Sequence, residues 1–358
     1  MPSPINKIAT GGQTLKNTAM KKTILLFTTW ILLISLVSTG CTRVERQRPI
    51  KISMNLWPGY AYAFIAQEKG FFSKNNVEVE LTFKNVISES RELFKNGDAD
   101  GFFDVFTDVV VINAEGIPVK VVYITDYSTS GDVIIGRPEL HSISDLKGKR
   151  ISFEGVNSFS HLFVLRALQK AGIEETDVQF ENLPALEVLN ALESGKIDAG
   201  HTWEPIKTRA IKRGYKALFT AGDIPGVITD VLAFHEKIVE ERPDDIQRIV
   251  KSLAEARDFL FSNRKEAIEI MARAEGITPE EMASGINGVH LPDLDENREA
   301  MTTSDKEISL LRAFGAITDF YITSGQISQK QDVRKIIEPH FVEHVKRLQT
   351  TPGEHYNK

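Results

Sequence analysis

The chain has 358 residues, 43 basic and 49 acidic side chains, a formal charge of −6 and a single cysteine. One cysteine excludes an internal disulfide and a thiolate metal cluster, and the acidic balance argues against nucleic-acid or anionic-lipid partners, which need a basic face. The length suits two domains of ordinary size behind a leader.

The first forty residues hold no acid and four lysines, Lys7, Lys16, Lys21 and Lys22. From Thr23 to Gly40 the chain is apolar or small throughout and then meets Cys41. A basic flank, an apolar run and small residues at its end make residues 1–40 a secretory signal peptide. Because the run is at the short limit for a span, a retained single-span anchor is the alternative reading. Val37-Ser38-Thr39-Gly40-Cys41 resembles a bacterial lipobox, with Ser38 where an aliphatic residue is usual. That resemblance implies lipidation of Cys41, and two acyl chains suffice for stable membrane attachment. Met20-Lys21-Lys22 reads as a signal-peptide opening, so residues 1–19 read as an over-called start. Losing four lysines with the leader takes the charge to −10. Residues 41–49, with the charged run Arg43–Pro49, form a tether.

Beyond Lys51, strand-like and helix-like segments alternate, which predicts an α/β architecture with parallel sheets. Ile52, Met54 and Leu56 alternate with polar residues until Trp57-Pro58-Gly59-Tyr60 breaks the strand, and a helix to Lys69 is closed by Gly70. Val77–Phe83 is a second strand, Ser88–Asn96 a short helix and Val119–Thr125 a strand. A second series follows. Asp132–Ile135, Arg150–Phe153, Val178–Leu183, Ala199–Trp203 and Val227–Phe234 read as strands, with helices over Ser160–Ala171 and Pro184–Ser194. Both helices are followed by a glycine, Gly172 and Gly195. After that the pattern turns helical. Pro243 opens a helix with Ile246, Ile249, Val250, Leu253 and Leu260 on one face, and Thr278–Glu281 and Ser304–Glu307 have capping-box spacing.

Four segments in order carry a family resemblance: residues 57–72 followed by 77–83, residues 145–173, residues 191–205 and residues 223–234. They resemble the nitrate/sulfonate/taurine-type solute-binding proteins of ABC importers, which are related to the thiamine-pyrimidine-precursor binding proteins, over about residues 50–320. The resemblance implies a periplasmic-binding-protein-like fold of two α/β lobes joined by a two-segment hinge, of type II topology. It implies no catalysis and no cofactor: a monomer closes on a small solute and docks on permease and ATPase subunits. Lobe one would take residues 50–128 and 231–358, and lobe two residues 131–228, with crossings near Asp126–Gly131 and Gly226–Asp230.

The candidate binding residues sit where strands of such a fold end. Trp57 and Tyr60 suit one wall of a small-molecule cleft, and Trp203 with Glu204 suits the other; core packing and helix capping are the plainer roles for the same residues. Asn157, Ser158 and Ser160 join a strand to a helix and could present N–H groups to an anion, or could simply cap that helix. Asp104, Asp126, Asp132, Glu154, Glu204 and Asp230 would repel a bare anion, which tilts the reading towards an amine-bearing or zwitterionic solute. Turn and hinge hydrogen bonds are their plainer role. His340–His344 matches H-x-x-E-H, a chance match on a terminal helix, and no metal site is expected. A protein that senses a ligand for a receptor kinase would share this fold. The thiamine-pyrimidine enzymes rely on a cysteine-rich motif that this chain lacks.

Overall fold

The computed structural model describes Met1, residues 48–306 and residues 308–350. The leader, Cys41 and the tether to residue 47 lie outside them, as does Glu307 of the second predicted capping box. Among the described residues no helix is long and apolar enough to cross a membrane.

Among the described residues eleven strands build two sheets within one compact unit that begins at Pro49. In chain order they are β1 (Ile50–Asn55), β2 (Val79–Lys84), β3 (Gly101–Val105), β4 (Val119–Ser128), β5 (Val133–Gly136) and β6 (Arg150–Phe153). Then come β7 (Gln179–Asn182), β8 (Ala199–Thr202), β9 (Lys216–Thr220), β10 (Thr229–His235) and β11 (Val289–His290). The first sheet runs β11-β4-β10-β3-β1-β2 and the second β7-β6-β8-β5-β9.

Neither sheet is purely parallel, which corrects the sequence expectation. β1 is parallel to β2 and β3, but β10 runs antiparallel to both β3 and β4. In the second sheet β6 is parallel to β7 and β8, while β5 is antiparallel to β8 and β9. The antiparallel members are those next to the crossings: β4 hands over to β5, and β9 returns to β10. A strand that enters a sheet from the neighbouring one has no crossover helix to reverse it, so it pairs antiparallel.

Helices cover both faces, so inward and outward positions are buried alike. In β1, Ile50, Ile52 and Met54 are buried, but so is Ser53, whose hydroxyl donates to the Ser90 carbonyl at 2.9 Å. Helix Pro243–Ser262 buries the predicted face of Ile246, Ile249, Val250, Leu253 and Leu260. Thr278 caps helix Pro279–Asn287 in a complete capping box. Helix Leu310–Thr323 starts one turn later than predicted, with Ser309 accepting the Arg312 N–H. Gly70 and Gly172 close their helices in the left-handed region, at φ +71° and +69°, where a side chain would be strained.

The two crossings are tied together. Thr129, Ser130 and Gly131 all donate their N–H groups to the Gly288 carbonyl at 2.8–2.9 Å, and the Thr129 hydroxyl adds a fourth bond at 2.8 Å. The Gly222 N–H of the return segment donates to the Thr129 carbonyl.

Candidate functional site

A cavity of about 10 Å³ lies between the sheets, room for about one water. Asn55, Trp57, Tyr60, Val105 and Asp230 line it from the first sheet and its loops. Asp132, Phe159 and Trp203 line it from the second. Most of these positions follow the carboxyl ends of β1, β3, β6 and β8, where open α/β sheets place their ligands.

The walls are aromatic. Trp57 and Trp203 meet edge to face with ring centroids 6.5 Å apart at 85°, and Phe159 lies 5.9 Å from Trp203. Tyr60 stacks on Phe103 at 5.1 Å, and its hydroxyl donates to the Asn55 amide oxygen. Each tryptophan is fixed by its polar edge. The Trp57 N–H donates to Glu275 at 3.1 Å, and its indole N–H to both Asp126 oxygens at 3.2 Å. The Trp203 indole donates across the cleft to the Leu56 carbonyl at 3.1 Å. Two glycines make room for this. A Cβ on Gly59 would fall on the Asp126 carboxylate and the Trp57 indole nitrogen, and one on Gly131 would come within 2.7 Å of Cη2 of Trp57.

Acids gather behind the aromatics. Asp126 and Asp230 are register partners across the β4–β10 ladder. Burial pushes Asp126 up to about 7, against the pull of the Trp57 and Thr125 donors. Asp230 is raised well above the carboxylate range by burial and then by the charges of Asp126, Asp132 and Asp104. Glu275 is pushed up to about 8 by burial, opposed only by the Trp57 N–H.

Asp132 is held by a chain of bonds. The Glu154 N–H donates to Ser160 Oγ at 2.9 Å, Ser160 Oγ lies 2.7 Å from His201 Nδ1, and His201 Nε2 lies 3.1 Å from Asp132 Oδ1. With the serine hydroxyl donating to Nδ1, the proton sits on Nε2 and points at Asp132. The parts match a Ser-His-Asp constellation, but the orientation is reversed for catalysis. Ser160 is fully buried away from the cavity, whereas the Asp132 carboxylate lines it. The chain therefore orients Asp132 and does not activate Ser160.

Of the ten residues singled out from sequence, Trp57, Tyr60, Trp203 and Asp230 line the cavity. Asp126 stands behind them as the acceptor for Trp57, and Ser160 belongs to the chain that orients Asp132. The other four have structural partners. Asp104 takes Arg91 through two bonds at 2.8 and 2.9 Å. Ser158 caps helix Phe159–Lys170, accepting the Ser160 and His161 N–H groups. Asn157 turns the chain at φ +60°, and its carbonyl accepts from Gln326 at 3.2 Å. Glu204, fully buried, accepts from Thr208 and from the Ser284 hydroxyl at 2.7 Å.

The helix N-terminus that looked open to an anion is thus occupied. Its Phe159 N–H donates at 2.9 Å to Asp108, which lies in the first turn of helix Phe106–Ala114 after β3 and also pairs with Arg91. Sequence reasoning missed Asp108, Phe159 and Asn55. Asp132 it named only among the acids.

Residues 57–267 match the family described as NMT1/THI5 like. The chain belongs to that family. It is 25% identical over 198 residues to a putative aliphatic sulfonates-binding protein of Escherichia coli K12, a match spanning 55% of this chain and 59% of the relative. Its fold is that of the periplasmic aliphatic sulphonate-binding protein SsuA from E. coli, with TM-score 0.67 at 19% identity over 81% of this chain and 92% of that one. The desulfurization enzyme DSZB shares the fold, with TM-score 0.62 at 13% identity over 84% and 100% of the chains, so the fold alone does not separate binding from catalysis.

Proposed function

We propose that this family member is the extracytoplasmic solute-binding lipoprotein of an ABC importer. In this reading the first sheet with its helices (residues 50–128 and 231–358) and the second (131–228) are two lobes. They close on a small solute and present it to a permease, and the protein stays at the membrane through a lipid on Cys41. The observation that carries the reading is the contact of Trp57 and Trp203 across a cavity lined from both sheets. A solute touching both walls favours closure, because it binds the closed form more tightly than the open one. The cavity as it stands holds about one water, so the lobes part to admit a solute.

A binding role also fits the placement of Ser160 and Cys41. Ser160 is turned into a buried hydrogen-bond chain, and the only cysteine precedes the fold.

The test is a thermal-shift screen of the purified protein with small cations, anions, zwitterions and neutral amides. A true solute raises the melting temperature because it binds only the folded form. Trp57→Ala and Trp203→Ala are each expected to weaken binding at least about tenfold, roughly 1.4 kcal/mol. Full affinity in both variants would remove the cavity as the binding site.

A further inference from the structure

The cavity has a charge preference that the family resemblance does not supply. Two of its lining side chains are carboxyls, Asp132 and Asp230, and no lysine, arginine or histidine lines it. Asp132 is 1% exposed and its Oδ2 has no hydrogen-bond partner, while Oδ1 is fixed by His201. A buried, unpaired carboxylate oxygen at a cavity wall is costly unless a donor arrives from the cavity.

The donors that an anion would need are already committed. The Trp57 indole N–H goes to Asp126, that of Trp203 to Leu56, and the Tyr60 hydroxyl to Asn55. At the helix end, Ser160 and His161 donate to Ser158, and Phe159 donates to Asp108. An incoming sulfonate or nitrate would face two carboxyls and have to displace Asp108 from a place where Arg91 also holds it. A cation meets the opposite surroundings: an orphaned oxygen and the faces of Trp57, Tyr60, Phe159 and Trp203.

We propose that the solute carries a compact organic cation, an ammonium, amidinium or guanidinium, that donates to Asp132 and Asp230 and lies against the aromatic walls. This rests on reading the cavity as the solute site. The cation supplies the positive charge missing around Asp230, which burial and the charges of Asp126, Asp132 and Asp104 hold well above the usual carboxylate range. His201 acts as a positioning residue, aiming Asp132 at the ligand.

The test uses ion pairs of matched shape on the purified full chain: guanidinium against nitrate, and acetamidinium against acetate, each titrated by calorimetry at low millimolar concentration. The expected result is binding of at least one cation, at least about tenfold tighter than its anionic counterpart. Asp132→Asn should weaken that binding at least tenfold, and Asp230→Asn serves in its place should the first variant not fold. Tighter binding of either anion would overturn the proposal, as would no binding of either cation or full retention in both variants. A hit by an anion or a neutral amide in the wider screen leaves the solute-binding reading standing and removes only the charge assignment. Silence from every class removes both.

Discussion

Two groups of acids gather near the same cavity, and they are built on opposite principles. Asp104 and Asp108 face Arg91, which spans both with its guanidinium, and Asp108 also takes a helix N–H from the opposite sheet. Both carboxyls there have fixed partners, although burial still pushes Asp108 up to about 7. Among the described residues Asp126, Asp230 and Asp132 pair with no lysine or arginine: two of them face each other across the β4–β10 ladder, and the third leaves an oxygen bare. The first group is finished as it stands and holds the structure together. The second is incomplete, and that is the ground on which we propose it as the place where a solute binds.

The comparison can be broken most forcefully at Arg91. Arg91→Met strands two buried carboxylates and should cost about 3–5 kcal/mol of stability, read from the urea midpoint; a loss under 1 kcal/mol would show that the first group is not the finished one. The pH dependence of stability comes next and draws on both groups. Asp108 and Asp126 at about 7, with Glu275 at about 8, hold protons far above their unfolded values of roughly 4. The stability linked to those protons is complete below about pH 4 and is lost as pH rises through 7 and 8. The unliganded protein should therefore lose several kcal/mol between pH 5 and 8, and a flat denaturation profile over that range would contradict the assignment. Gly59→Ala presses a methyl onto Asp126 and Trp57 at once and should cost about 1–3 kcal/mol as an overpacked site, with Trp57 fluorescence shifting. The smallest effect has the opposite sign: Asp230→Asn removes buried repulsion and should raise stability at pH 8 by about 1 kcal/mol. A melting temperature that falls instead would place Asp230 among the finished pairs.

The legible parts of the fold were those with a period or a stop signal. β6 falls at Arg150–Phe153 as read, and the long helix opens at Pro243 with its apolar face inward. By contrast, β3 and helix Phe106–Ala114 sit in a stretch that is buried almost throughout and shows no period to read. Strand direction was misread because alternation carries no arrow: β5 and β10 have ordinary strand patterns and run against their neighbours. At the site, aromatics beside Pro and Gly breaks could be found, and Trp57 and Trp203 do meet. The polar assignments around Ser158 were harder. A helix end advertises its donors in local sequence, but the acceptor that fills this one, Asp108, comes from 51 residues away. Asp132 is similar, since its role depends on His201, 69 residues further on.

The knot at Gly288 bears on how such a clamp could move. One carbonyl takes three successive amides and a hydroxyl from residues 129–131, and a Cβ on Gly288 would collide with the Gly131 backbone. Those residues are thereby riveted to the segment after helix Pro279–Asn287, and the return segment is bound to the same crossing by the Gly222 N–H on Thr129, the Ala221 N–H on Asp132 at 3.1 Å and the Ser128 N–H on Ile228 at 3.1 Å. In the proposed two-lobe clamp both crossings would turn together, as one bound pair of strands, beside Gly131, where the Trp57 ring rests.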